Sequence, residues 1–195
     1  MGPKEQKFIQ QVTGTFLYYA RVVNAIIMVA LSAIASEKAA LTKNTMKKTK
    51  QFLNYVALHP DRVLTFSASN MVLNVHSDAS YLTEPKARSQ AGGHFFLSDN
   101  SKDPTDNGAV LNVAQIIKNA ISSTAETELG SLFINTRQEI PARKTIEELG
   151  HQQPPTPIQT DNTTALGFVS KNLQPKVIKS VDMRYWWMQD RSGQK

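Results

Sequence analysis

The sequence predicts an α/β (α+β) protein in which a mixed sheet with flanking helices, residues 62–195, follows a small helical segment, residues 1–61. Three observations carry that expectation. Apolar residues recur at helical spacing through the N-terminal segment. Runs of β-branched and aromatic residues, bounded by Asn, Asp, Ser, Gly and Pro, follow it. A helix then starts at Ser123, and a short strand beyond it ends on Asp161.

Phe8, Val12, Phe16, Tyr19 and Val23 mark an amphipathic first helix, with Gly14 as its weak spot. Residues 25–37 are apolar almost all round, which implies a second helix enclosed by its neighbours. A third runs from Thr42 to about Leu58 and stops at His59-Pro60, because proline drives the residue before it out of helical geometry. Its Met46, Leu53 and Ala57 are expected to face inward. Lys43, Lys47 and Lys50, at i, i+4 and i+7, form one basic stripe. Such a stripe is either a solvated helix face or a track for duplex phosphates.

Residues 62–66 and 71–78 read as two strands joined by a hairpin at 67–70. Residues 84–89 form a polar turn before a strand at 92–97. Lys86 and Arg88 in that turn are candidate phosphate contacts, although a loop charge is more often only solvated. Residues 98–108 are a loop and 109–113 a further strand. After the central helix, residues 142–149 read as another helix and 152–157 as a stiff, proline-rich connector. A last helix at about 177–189 carries Tyr185, Trp186 and Trp187, most often a core cluster but partly exposed if a sheet edge is open. The four histidines show no ligand spacing, and His76 shares a strand face with Asp78.

Ser123, Thr124, Ala125 and Glu126 spell S-x-x-E, in which the serine accepts from the backbone N–H three residues on and the glutamate reaches back. Leu129, Leu132, Phe133 and Thr136 then form a buried stripe. Glu126 has a capping job. Glu128, beside the stripe, has nothing local that needs it, and on this stretch alone it reads as a solvated glutamate. The flanking strands change its reading. Residues 71–78 end on Asp78 and residues 157–161 on Asp161. Ligands of open α/β sheets collect beyond the carboxyl ends of strands. Two strand-end aspartates and a glutamate on the intervening helix could converge into an all-oxygen site for hard divalent cations.

His76-Ser77-Asp78-Ala79-Ser80, Ser122-Ser123-Thr124-Ala125-Glu126-Thr127-Glu128-Leu129, Gln159-Thr160-Asp161-Asn162-Thr163-Thr164-Ala165-Leu166 and Lys179-Ser180-Val181-Asp182-Met183-Arg184-Tyr185 resemble, in order, the motifs of the ribonuclease H domain in copia-type (Pseudoviridae-like) retrotransposon polyproteins. Upstream, residues 14–19 and 48–55 look like the helical thumb or connection segment that follows the reverse-transcriptase palm. The resemblance implies a ribonuclease H-like sheet of five strands, three antiparallel leading into two parallel. It also implies endonucleolytic hydrolysis of the RNA strand in RNA–DNA hybrids. Asp78, Glu128 and Asp161 would be the catalytic and metal-binding carboxylates, holding two Mg²⁺ (or Mn²⁺) ions about 4 Å apart. Asp, then Glu, then Asp is the ribonuclease H order, whereas related integrases and transposases run Asp, Asp, Glu.

Lys43, Lys47, Lys50, Lys86, Arg88 and Asn162 would touch nucleic acid. The sequence ends at Lys195, before the last strand and fourth carboxylate of the family, so an incomplete domain is expected. The alternatives are a catalytically weak or dead nucleic-acid-binding remnant, or a domesticated module that binds a protein or itself through the exposed sheet edge. No Tyr-x-Asp-Asp motif is present, so polymerisation is not a candidate activity.

Composition sets the outer bounds. A chain of 195 residues, 41% hydrophobic, is long enough for one good core or a smaller domain with a helical appendage. Its net charge of +6 favours polyanionic partners. With no cysteine, disulfides, zinc ribbons and thiol catalysis are excluded. The N-terminus lacks a secretory pattern, and the most apolar run, 22–35, is interrupted by Asn24 and Ser32 and shorter than the roughly 20 residues a membrane span needs. An intracellular protein of the cytoplasm or nucleus, not secreted and not membrane-bound, is expected.

Overall fold

A computed structural model describes residues 2–38, 40–61, 63–118, 121–170 and 182–193. The chain divides into two compact units, Met1–Thr65 and Phe66–Lys195.

The first unit is helical. Helix α1, Pro3–Val22, begins with proline in its first turn, where no backbone N–H is needed, and the Gly2 N–H donates to Glu5. A 3₁₀ turn, Ala25–Ile27, leads into α2, Met28–Ser36. Only one side of this segment is enclosed. Ile27, Met28, Leu31 and Ile34 are buried while Ile26 and Val29 are exposed, because two neighbouring helices cannot cover a third all round. Helix α3, Lys43–Leu58, starts where Thr42 and Thr45 cap each other and ends at His59 before Pro60.

The inward face of α3 is not the expected Met46, Leu53 and Ala57. It is Thr45, Thr49 and Phe52, with Phe52 edge-on to Phe16 of α1 at 5.1 Å. Burying the two threonines is affordable because both hydroxyls are bonded, Thr49 to the Thr45 carbonyl and Thr45 to Glu37. Lys48 also pairs with Glu37. Partial burial raises the Glu37 carboxyl, but the bonds from Lys48 and Thr45 together outweigh it and hold the group below the usual carboxylate range.

The second unit is built on a four-stranded mixed sheet in the order β3-β2-β1-β4, where β1 is Val72–Glu84, β2 Arg88–Ser98, β3 Ala109–Ile116 and β4 Ile158–Gln159. The first three strands are antiparallel, and β4 runs parallel to β1. The expected hairpin between 62–66 and 71–78 does not form. β1 pairs with β2 on one side and, at Val75 and His76, with β4 on the other, and residues 63–66 pair with no strand; Val63 and Phe66 are 84% and 57% exposed. Arg62 lies outside the described residues. Ser67 instead exchanges hydrogen bonds with Asn107 in the 99–108 loop.

Helix α4, Thr124–Glu148, is one continuous helix through Pro141, not two. Proline removes the N–H that would have reached the Arg137 carbonyl, but both residues sit on the exposed side of the helix, where a lost backbone bond costs less than in the core. The helix is buried on two faces. Leu73, Val75, Phe95 and Ile146 form a sheet–helix core, while Leu129 and Leu132 pack with Ala165 and Met188 of helices α5, Thr163–Val169, and α6, Asp182–Gly193. The aromatic cluster of α6 divides. Tyr185 is buried, Trp187 meets Phe133 edge-on at 5.2 Å, and Trp186 is 64% exposed. Residues 177–181 of the expected last helix lie outside the described residues. Among the described residues no helix is long and apolar enough to cross a membrane.

Candidate metal centre

Three separate pieces of local structure deliver the site. Asp78 lies within β1 and pairs with Gly92 of β2. The parallel ladder joins Val75 to Ile158 and His76 to Gln159. Asp78 and Asp161 each lie two residues beyond that last rung, so the two carboxylates arrive side by side. Asp161 follows the end of β4, whereas Asp78 is not the strand end expected from the sequence, because β1 continues to Glu84 paired with β2. Glu128 comes from the first turns of α4, whose start is fixed by the Ser123 hydroxyl accepting from the Glu126 N–H at 3.2 Å. The Glu126 carboxylate does its expected capping one residue earlier than the motif implies, accepting from the N–H and hydroxyl of Ser122.

Asp78, Glu128 and Asp161 each offer a carboxylate oxygen, and these oxygens lie within 4.8 Å of one another. The aspartates are exposed. Glu128 is 5% exposed, so the local reading of a solvated helix glutamate is overturned. Its Oε2 is buried with no hydrogen-bond partner, and none of the ion pairs among the described residues involves the three acids. Burial pushes the Glu128 carboxyl up to about 7; the neighbouring Asp78 and Asp161 charges add to the rise, and the Ala79 N–H partly opposes it.

A buried oxygen without a donor, inside a like-charged cluster, is a costly arrangement for a protein alone. It fits a divalent cation, which takes oxygen ligands and cancels the repulsion. The three acids are therefore a candidate cation site of all-oxygen character.

The other residues singled out in the sequence lie elsewhere. Lys86 and Arg88 are at the tip of the β1–β2 hairpin, Lys86 with φ of 65° and Arg88 bonded to the Pro85 carbonyl. Asn162 adjoins Asp161, and its Oδ1 caps α5 by accepting from the Ala165 N–H at 2.9 Å. Lys43, Lys47 and Lys50 belong to the other unit, all exposed. His76 turns to His94, Phe96 and Asp106.

Sequence reasoning missed Ser131 and Asn135. They follow Glu128 at i+3 and i+7 and so share its face of α4, a polar repeat that was legible beside the apolar one.

The fold and the site define a mixed α/β protein with a three-carboxylate candidate metal centre. No family model matches the chain, and neither the curated proteins nor the solved structures contain a significant match.

Proposed function

We propose that the unit Phe66–Lys195 is a ribonuclease H-like domain of copia-type retrotransposon descent, and that it hydrolyses the RNA strand of RNA–DNA hybrids with Mg²⁺ or Mn²⁺ held by Asp78, Glu128 and Asp161. The observation that carries this reading is the meeting of three acids, far apart in the chain, within 4.8 Å, two of them just past the parallel pairing of β1 with β4. The strand order and the antiparallel-to-parallel change at β1 agree with the sheet implied by the sequence motifs.

The acids alone would repel a phosphodiester, so a cation is a precondition for substrate approach. A bound divalent cation supplies an activated water and charge stabilisation for the leaving 3′ oxygen. Asp78 and Asp161 present their oxygens toward solvent, where substrate arrives, and Glu128 closes the site from the protein side. The test is cleavage of a labelled hybrid in Mg²⁺ or Mn²⁺ by the parent and by Asp78→Asn. Equal cleavage by both proteins removes the proposal.

The charge distribution favours a second reading, a nucleic-acid-binding protein that does not cut. The first unit holds nine basic residues against three acidic, while the second holds thirteen of each, so the whole excess of six lies in the first unit, to which the exposed Lys43, Lys47 and Lys50 of α3 contribute three. Salt-sensitive hybrid binding without metal-dependent product selects this reading over the enzyme.

A further inference from the structure

Beneath Asp78 a polar seam joins α4 to the sheet. The Ser131 hydroxyl donates to the Asp78 carbonyl at 2.6 Å and lies 3.2 Å from the Gly92 carbonyl. The Asn135 Nδ2 donates to the Gly92 carbonyl and to the Ser77 hydroxyl, each at 2.8 Å. Ser77, Ser131 and Asn135 are all buried. A Cβ built on Gly93 would fall 2.3 Å from Asn135 Oδ1 and 2.9 Å from its Cγ. The Asn135 amide thus occupies space that a side chain at residue 93 would take.

We infer that Ser131, Asn135 and Gly93 are positioning residues that set the spacing between Asp78 and Glu128. The inference rests on the metal-centre reading above. Glu128 stands one turn before Ser131 on the same face of α4, so any lift or slide of the helix moves its carboxyl directly. Packing alone does not explain the seam. Asn135 Oδ1 is buried without a donor, and one serine proton faces two carbonyls. Apolar side chains would fill the same interface but would take these donors away from the Asp78 and Gly92 carbonyls. What hydroxyl and amide supply instead is register, fixing α4 to the very peptide that carries Asp78. Toward the C-terminal end of α4 the contact turns apolar, at Ala142 and Ile146. The polar contacts are concentrated where the carboxylates must meet.

The experiment measures Mn²⁺ affinity from the paramagnetic resonance signal of free Mn²⁺, on full-length protein whose folding is checked by circular dichroism. The proteins are the parent, Asp78→Asn, Gly93→Ala, Ser131→Ala and Ile146→Val. The last trims the same helix–sheet interface far from Asp78. Parent binding that Asp78→Asn abolishes establishes the site. Gly93→Ala and Ser131→Ala then weaken binding by roughly tenfold or more, and Ile146→Val stays within about twofold. Should Gly93→Ala fail to fold, Ser131→Ala decides alone. Parent-like affinity in the seam variants overturns this inference and leaves the metal centre standing. Absence of any Asp78-dependent binding in the parent overturns both.

Discussion

Gln153 stands beside Leu73 in the place of a strand. Its Oε1 accepts from the Leu73 N–H at 2.9 Å, and its Nε2 donates to the Met71 carbonyl at 2.8 Å and the His151 carbonyl at 3.1 Å. Pro154, Pro155 and Pro157 follow, and none has an N–H to offer β1. The main-chain ladder resumes where the Val75 N–H meets the Pro157 carbonyl. A side-chain amide therefore bridges the stretch that leads into β4 and on to Asp161.

Replacing Gln153 with leucine leaves the buried Leu73 N–H of β1 and the half-buried Met71 carbonyl just before the strand without these partners. The expected loss is about 1–3 kcal/mol of unfolding free energy, read as a lower urea midpoint with an unchanged m-value. An unshifted midpoint would mean that these two backbone groups find other partners.

Glu128 makes stability depend on pH in the absence of metal. Burial lifts its folded carboxyl to about 7 from the ordinary 4.5, so between those pH values the folded state keeps a proton that the unfolded state has released. Stability therefore falls as pH rises from 4.5 through 7 and stays reduced above it. Glu128→Gln removes that slope and is more stable than the parent at pH 8 in EDTA. Urea unfolding of both proteins at pH 5 and pH 8 tests this, and parallel pH dependence would falsify it.

Much of this architecture was legible locally. Thr42 and Ser123 announce their helices through hydroxyls that accept from a nearby N–H, and Pro60 ends α3 through its own ring. Asp161 was legible as the residue that follows a short strand and Glu128 as a helix-start residue, while Asp78 was expected at a strand end and lies inside β1, which continues to Glu84. The burial of Glu128 was not legible, because α4 has two buried faces and the sequence shows clearly only the apolar one, Leu129 and Leu132. The polar face, Glu128, Ser131 and Asn135, makes sense only once Asp78 and Gly92 lie beneath it. The inner face of α3 was misplaced for a related reason. Thr45 and Thr49 go inside because Glu37 and a helix carbonyl satisfy them, which hydropathy does not record. Residues 63–66 have strand-like composition, but β1 pairs with β2 on one side and on the other is met by Gln153 and β4, so they do not join the sheet.

A cation that binds the folded state alone raises its stability by mass action. At ten times its dissociation constant the gain is about 1.4 kcal/mol. Mn²⁺ should raise the thermal midpoint of the parent at pH 8, where the repulsion among the three acids is fully developed. The gain should shrink in Asp161→Asn, which withdraws one ligand. Equal metal-induced shifts in both proteins would place the cation away from Asp161.

Lys43, Lys47 and Lys50 share one exposed face of α3, so a polyanion that lies along it meets all three. Each lysine that neutralises a phosphate releases a counterion, and the logarithm of affinity then falls with the logarithm of salt by about 0.9 per contact on a duplex. Replacing all three with alanine should lower the magnitude of that slope by roughly 2–3. The loss of affinity should be similar for unrelated hybrid sequences, because phosphate contacts carry no base information. Fluorescence anisotropy with labelled hybrids, between about 50 and 200 mM salt, gives both quantities. A slope unchanged by the triple substitution would assign the phosphate contacts to other residues and leave these lysines as a solvated face.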